Sequence, residues 1–325
     1  MKESPESIGI LVNAERARAL SALTALLETL RRQLPYTKLM LSEEAVRLIP
    51  EQTGITAVAN GLHELVRAND LIIALGGDGT MLSAARAILR QNPSARLLGV
   101  NLGKLGFIAE NPPEEIEEII RELALGELHE EPRLMLAAKV ESEKNPLLGT
   151  IVRRDDVMRD RENKPSANAE LLAFNEIVID NFGSTRMLTF EVLVDGALLG
   201  VMRADGLLVA TPTGSTGYAV SAGGPIVEPT SQVMLITPIA PHSLNIRPII
   251  VPQHVEIVVR ANSEETKQAL IVADGQEEVV AETPALVRIV AAQQSLHLLR
   301  RKDHSYFELL RNKLFWSQDA RNPRR

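Results

Sequence analysis

At 325 residues the chain has room for about two domains, and 45% hydrophobic with 24% charged residues is an ordinary globular balance. The absence of cysteine excludes a disulfide framework, a zinc–thiolate site and a cysteine nucleophile, and it fits a reducing cytoplasm. A net charge of −7 and only 3% aromatic residues argue against a nucleic-acid partner; no apolar run reaches the ~18 residues of a membrane span and no basic-then-apolar leader precedes Ile8, so a soluble cytoplasmic protein without a membrane partner is expected.

The first third alternates strand and helix patterns. Ile8–Asn13 reads as a strand, and Glu15–Leu34 as an amphipathic helix through Leu20, Leu23, Leu27, Leu30 and Leu34, stopped by Pro35. Strands follow at Lys38–Leu41 and Thr56–Ala59, with a short helical stretch between them. Leu71–Leu75 reads as a buried strand that runs into Gly76-Gly77-Asp78-Gly79-Thr80. From Thr80 the spacing of Met81, Leu82, Ala84, Ala85, Ile88 and Leu89 is helical. Arg96–Val100 is a further strand, and Pro112-Pro113 opens an acidic helix to Leu125. Such alternation implies a parallel sheet covered on both faces.

After Pro132 short β-rich runs dominate: Leu134–Val140, Leu172–Asp180, Leu188–Val194, Leu207–Thr211, Val233–Thr237, Val255–Arg260, Ala269–Ala273, Val287–Val290 and Leu296–Leu299. Asp155–Asn168 is polar and charged and reads as an exposed loop. Ser305–Trp316 reads as a closing helix that returns to the first domain, and Arg321–Arg325 as a solvated basic tail. The expected fold is α/β plus all-β. A Rossmann-like three-layer domain (1–131) precedes a β-sandwich domain (132–303), followed by the returning helix and tail (304–325).

A strand, a glycine turn and a helix N-terminus together form an anion site, because backbone N–H groups and the helix dipole converge there. Yet Asp78 places a carboxylate where a phosphate would sit. Two stock phosphate loops fail: the dinucleotide pattern would need glycine at Leu82, and Gly99 to Gly103 has too few intervening residues for a P-loop, with Lys104 followed by Leu105. A metal, a proton transfer or a plain Asp cap would each account for the acid.

Thr211-Pro212-Thr213-Gly214-Ser215-Thr216-Gly217-Tyr218-Ala219-Val220-Ser221-Ala222-Gly223-Gly224-Pro225 concentrates glycines and hydroxyls beyond the needs of a turn, as a ligand-lining segment does. Asn175-Glu176 at a strand start could hold a base or ribose. Arg203-Ala204-Asp205-Gly206 pairs a phosphate-capable guanidinium with a ribose-capable carboxylate.

Gly76–Thr80, Asn101-Leu102-Gly103-Lys104-Leu105-Gly106-Phe107, Asn175-Glu176, Asp205-Gly206 and Thr211–Thr216 occur in that order, with Ser221–Ile226 and Pro241-His242-Ser243-Leu244 after them. The set resembles the NAD kinase family, which makes NADP with ATP or polyphosphate, from about Ile8 to the closing helix. The GGDGT motif alone is shared with diacylglycerol kinases and 6-phosphofructokinases; the long Thr211 segment is the more specific part.

The resemblance implies that Asp78 is the general base for the adenosine-ribose 2′-hydroxyl of NAD and that Gly79 contacts the dinucleotide. It assigns Asn175 and Glu176 to its ribose or adenine, Arg186 and Arg203 to polar substrate contacts, and Asp205 to the nicotinamide side. Thr216, Gly217, Tyr218, Ala219, Val220 and Ser221 would line the adenine and ribose pocket, with Gln276 at another substrate contact and Phe107 beside the adenine. It further implies ATP as donor, a divalent cation (Mg²⁺) carried by the nucleotide, and a homo-oligomer, dimer or tetramer. A lipid or sugar kinase of the same superfamily and a non-catalytic NAD(P) sensor are the competing readings; an intact Asp78 and the absence of a basic patch count against them.

Overall fold

Strand and helix periods alternate through the first third as the apolar pattern demands. In chain order they give β1 (Ser7–Val12), α1 (Ala19–Gln33), β2 (Lys38–Ser42), α2 (Glu43–Leu48), β3 (Ala57–Ala59), α3 (Leu62–Arg67), β4 (Leu71–Gly76), α4 (Asp78–Gln91), β5 (Arg96–Asn101), α5 (Ile116–Leu125) and β6 (His129–Arg133). These elements come from a computed structural model that describes residues 5–49, 57–104, 106–142, 150–153, 170–182, 186–243, 245–263 and 268–314. The expected loop at 155–168 and the basic tail at 321–325 lie outside the described residues.

The strands run β3-β2-β1-β4-β5, all parallel. Alternate residues of β1 and β4 point one way: Ile8, Ile10, Leu71, Ile73 and Leu75 join Leu98 and Val100 in a core closed by α1 and α5. On the opposite face Leu65 of α3 meets Ile72 beside Gly9, and α3 packs on α4. Helices on both faces make three layers. The order 3-2-1-4-5 reverses between β1 and β4, and open α/β sheets bind ligands beyond the strand C-termini at such a switch point.

The second unit, Arg133–Ser295, is antiparallel. Its elements are β7 (Leu136–Ser142), β8 (Thr150–Arg153), β9 (Glu170–Ala173), β10 (Glu176–Asn181), β11 (Leu188–Val194), β12 (Ala197–Ala204), β13 (Gly206–Ala210), α6 (Tyr218–Ser221), β14 (Val233–Ile239), β15 (Ile249–Pro252), β16 (Ile257–Asn262), β17 (Gln268–Ala273), β18 (Glu277–Glu282) and β19 (Ala285–Ala291). They form two sheets, β15-β14-β13-β10-β17-β18-β8 and β12-β11-β16-β19-β7-β9. Alternate residues of both, such as Phe190, Ile179, Val209, Ile236, Val259 and Ile271, share one buried core, as in a sandwich.

The chain then returns. β20 (Leu296–Arg300) lies parallel to β5 in the first sheet, next to β6, and α7 (Tyr306–Leu314) follows it. The first unit is therefore Met1–Pro132 with Leu296–Arg325, and the boundary expected at 303 moves back to 295. The sequence alone cannot tell which of two sheets an apolar strand will join. Arg300 fixes this strand: its nearly buried guanidinium pairs with Glu110 at 2.7 Å and Glu131 at 3.0 Å. Breaking such a buried pair by removing one partner typically costs about 3–5 kcal/mol.

Two other expectations change. Helix α1 starts at Ala19 instead of Glu15, because the Asn13 side chain accepts from the Glu15 N–H at 3.2 Å and holds a turn there. The single strand expected at Leu172–Asp180 is two. β9 and β10 belong to different sheets, and the chain crosses between them at Phe174-Asn175.

Candidate functional site

In the first unit the residues at the switch point come from the ends of β1, β4 and β5. Gly77 precedes the first turn of α4, so Asp78 stands inside the helix, two residues earlier than the sequence pattern suggested. Its carboxylate does not cap its own helix. It accepts from the 106–109 loop: Oδ2 from the Phe107 N–H at 2.9 Å, and Oδ1 from the N–H groups of Ile108 at 3.1 Å and Ala109 at 3.0 Å. Gly106 allows this approach, since a methyl group there would lie 2.0 Å from Oδ1. Asn101 shapes the loop from inside. Its amide donates to the carbonyls of Lys104 at 2.9 Å and Ala109 at 3.0 Å, and its oxygen accepts from the Gly103 N–H at 2.8 Å.

Two cations lie close by. Lys313 of α7 places its ammonium 4.4 Å from the centre of the Phe107 ring. Burial lowers the Lys313 ammonium from its usual value, and the negative Asp78 opposes that shift. Arg16, in the turn held by Asn13, reaches across the glycines: a methyl group on Gly77 would lie 3.8 Å from its Nη2, and one on Gly103 3.7 Å from its Nη1. Backbone amides of a helix start and a guanidinium between two bare glycine loops can receive phosphate.

The second unit carries the Asn175-Glu176 pair at the crossing between its sheets. Asp274 holds it. The Asp274 carboxylate accepts from the N–H groups of Phe174 at 2.9 Å, Asn175 at 2.7 Å and Glu176 at 3.2 Å, supplying what neither ladder can at the crossover. Asp274 has a φ of 52°, a left-handed conformation that suits Asp better than most residues. Glu176 is buried, and its Oε2 has no hydrogen-bond partner. Burial first, then the nearby Asp274 charge, push its carboxyl from the usual 4.5 to about 8, against a hydrogen bond from the Tyr218 backbone.

The Thr211 segment packs directly on this pair. Thr211 Oγ1 donates to the Phe174 carbonyl at 2.6 Å, and a methyl group on Gly214 would lie 2.1 Å from the Asn175 carbonyl oxygen. Residues Thr213–Thr216 form one 3₁₀ turn and 218–221 one turn of helix. Most of the hydroxyls expected to face a ligand serve this fold. Ser215 bonds Pro212 and Val227, Thr216 Oγ1 donates to the Thr213 carbonyl at 3.2 Å, and Thr213 Oγ1 accepts from the buried Arg133 at 3.1 Å.

Residues 8–128 match the ATP-NAD kinase N-terminal domain, and residues 174–301 match the ATP-NAD kinase C-terminal domain. The chain belongs to the NAD kinase family. The NAD kinase of Magnetococcus marinus is 34% identical over 96% of this chain and 94% of its own. That of Chromohalobacter salexigens is 36% identical over 89% and 92%. Among solved structures, an NAD kinase from Archaeoglobus fulgidus in complex with ATP aligns at a TM-score of 0.66 and 25% identity, covering 95% of this chain and 98% of that one. Yeast NADH kinase complexed with NADH aligns at 0.82 and 20% identity, covering 98% and 90%, a likeness of fold. The protein is thus a phosphotransferase.

Of the residues that the NAD kinase resemblance singled out, Asn175, Glu176, Gly217 and Tyr218 gather in one place: a methyl group on Gly217 would lie 3.0 Å from Glu176 Oε2. Ala219 is buried, Val220 is half-buried and Ser221 is exposed on α6. Gln276 follows the Asp274-Gly275 turn and is half-buried. Arg186, Arg203 and Asp205 are exposed, with Arg203 near the end of β12 and Asp205 in the turn to β13. Gly79 is exposed in the first turn of α4. Sequence reasoning did not single out Arg16, Asn101 and Lys313 around Asp78 in the first unit, or Asp274 beside Asn175 and Glu176 in the second. Asn101, which opens the Asn101–Phe107 motif, and Asp274, an acid directly before glycine in a turn, carried a local signal; Arg16 and Lys313 carried none.

Proposed function

We propose that this NAD kinase transfers a phosphoryl group from ATP, or from inorganic polyphosphate, to the 2′-hydroxyl of the adenosine ribose of NAD, giving NADP. The observation that carries the reading is the Asp78 carboxylate, fixed by three loop amides at the switch point of a sheet whose sequence matches an ATP-NAD kinase domain. In the transfer the 2′-oxygen bonds to the terminal phosphorus, the bond to the leaving phosphate breaks, and the hydroxyl proton goes to Asp78.

The hydrogen bonds indicate which oxygen takes it. Each carboxylate oxygen has two lone pairs; Oδ1 spends both on Ile108 and Ala109, whereas Oδ2 spends one on Phe107 and keeps one. Oδ2 is the basic atom. The N-terminal turn of α4 and Arg16 supply positive charge for the donor's phosphates. Asn175 and Glu176 hold the adenosine, and Gly217 and Tyr218 form part of its surroundings, with Arg203, Asp205, Arg186 and Gln276 as outer substrate contacts.

A divalent cation, Mg²⁺ in this reading, comes with the donor and neutralises its phosphates. Among the described residues no group of three or more His, Asp or Glu side chains is arranged to hold one. The reading also places the enzyme in the cytoplasm as a homo-oligomer; no described helix is long and apolar enough to cross a membrane. The edge strand β12 exposes Leu198 (60%) and Val201 (61%), an apolar row suited to a second copy.

Incubation with NAD, Mg²⁺ and either ATP or polyphosphate, with diacylglycerol as a rival acceptor, tests the assignment. NADP should form with at least one donor. Absence of NADP across the panel would overturn it.

A further inference from the structure

Among the described residues, the buried oxygens without partners in the second unit include two on adjacent residues. Glu176 is 7% exposed and its Oε2 makes no hydrogen bond, nor does Oδ1 of the adjoining Asn175. A buried polar atom left unpaired costs about 1–3 kcal/mol, so two side by side mark a place kept for a ligand. The charge facing Glu176 is the Asp274 carboxylate on the turn after β17, while α6 contributes the neutral Tyr218 N–H. Among the described residues, the other buried ionisable groups of this unit are Arg133, which donates to Thr213, and Glu277 on β18.

Two adjoining carboxyls in a dry site cannot both ionise readily, and the one with more hydrogen bonds to its charged form keeps the charge. Asp274 has three N–H donors. Glu176 therefore takes the proton, in line with its carboxyl being pushed up to about 8.

We propose that Asp274 is a positioning residue for the nucleoside: it fixes Asn175 and Glu176, and it holds Glu176 as a neutral carboxylic acid whose O–H donates to an acceptor on the adenosine of NAD. The identity of the nucleoside rests on the proposed function; the protonated acid rests on the geometry of this unit alone. An ionised Glu176 could only accept, from ribose hydroxyls or the adenine amino group. The neutral acid gives the site one donor more, and a pH limit.

Two measurements on the full-length protein test this. Carbon NMR of the Glu side-chain carboxyls in the free protein, with Glu176 assigned through Glu176→Gln, should give a midpoint near 8. Asp274→Asn should move that midpoint down by about one unit or more, which a merely structural role would not do. Calorimetric NAD binding should be flat below this pH and weaken towards about tenfold per unit above it, and Glu176→Gln should lose that pH dependence. Asp274→Asn should raise KM for NAD about tenfold or more and leave kcat within about threefold.

A Glu176 midpoint below about 6, or the same pH profile of NAD binding in wild type and Glu176→Gln, would overturn the proposal even with kinase activity intact. No NAD binding at any pH despite a midpoint near 8 would instead overturn the substrate assignment, and the nucleoside half of the proposal with it. If Asp274→Asn does not fold, the wild-type midpoint and the Glu176→Gln comparison decide.

Discussion

Asp78 in the first unit and Asp274 in the second make the same set of bonds: each carboxylate gathers three backbone amides, two on one oxygen and one on the other. Their surroundings differ. Asp78 is half-exposed at a helix N-terminus with Lys313 in its field, whereas Asp274 is 8% exposed with a second carboxyl beside it. A clamp of three amides therefore serves two ends. In the proposed chemistry the open one offers a lone pair to a substrate proton, and the closed one shapes backbone and leaves the proton on its neighbour. Environment, more than bonding, assigns the roles.

The comparison can be broken at the glycines that make each cluster possible. Gly106→Ala would push a methyl group into Asp78, at 2.0 Å from Oδ1. We expect kcat to fall about 100-fold with NAD affinity nearly kept, since general-base help is typically worth ~10²–10⁴ in rate. Gly214→Ala would meet the Asn175 carbonyl at 2.1 Å. Steady-state kinetics should show the opposite pattern, KM for NAD raised about tenfold, together with about 1–3 kcal/mol lost in denaturant unfolding. Gly200→Ala, with nothing within 4 Å, is the control and should change neither.

A third prediction concerns stability against pH. Glu176 ionises near 4.5 in the unfolded chain and near 8 in the folded one. Between these values the folded state holds the extra proton, so stability falls as pH rises through that window and levels off above it. Glu176→Gln removes the loss. At neutral pH it should stabilise the protein by on the order of 1–3 kcal/mol, and the gain should shrink on acidification towards 4.5. Urea melts at several pH values check the sign. A variant that is more stable and whose NAD binding no longer weakens at high pH would show that both effects come from the one Glu176 proton.

The smallest effect expected is at Thr216, whose hydroxyl is spent on the Thr213 carbonyl. Thr216→Ala should change NAD affinity by less than about threefold, because a hydroxyl serving its own turn contributes only ~0.5–1.5 kcal/mol and none of it to ligand.

Much of this was legible in the residues. The all-apolar β4 and the 3.6-residue spacing of α4 defined the strand, turn and helix around Asp78, and the Thr211 segment carried the more specific part of the resemblance to NAD kinases. Three features were not legible, for one physical reason: each depends on contacts distant in sequence. β20 joins the first sheet through Arg300 and the buried Glu110 and Glu131, 190 and 169 residues away. Asp274 finds its amides 98 to 100 residues upstream. The break between β9 and β10 at Phe174-Asn175 follows from that clamp, which replaces ladder bonds that the apolar pattern seemed to promise.

In the proposed reaction Asp78 removes the proton while Asn175 and Glu176 hold the nucleoside. The most direct test is Asp78→Asn, measured for NAD binding by calorimetry and for turnover by NADP formation under saturating NAD and ATP. The expected result is a Kd within about threefold of wild type and a rate lowered by ~10²–10⁴. Turnover close to wild type at unchanged Kd would contradict it.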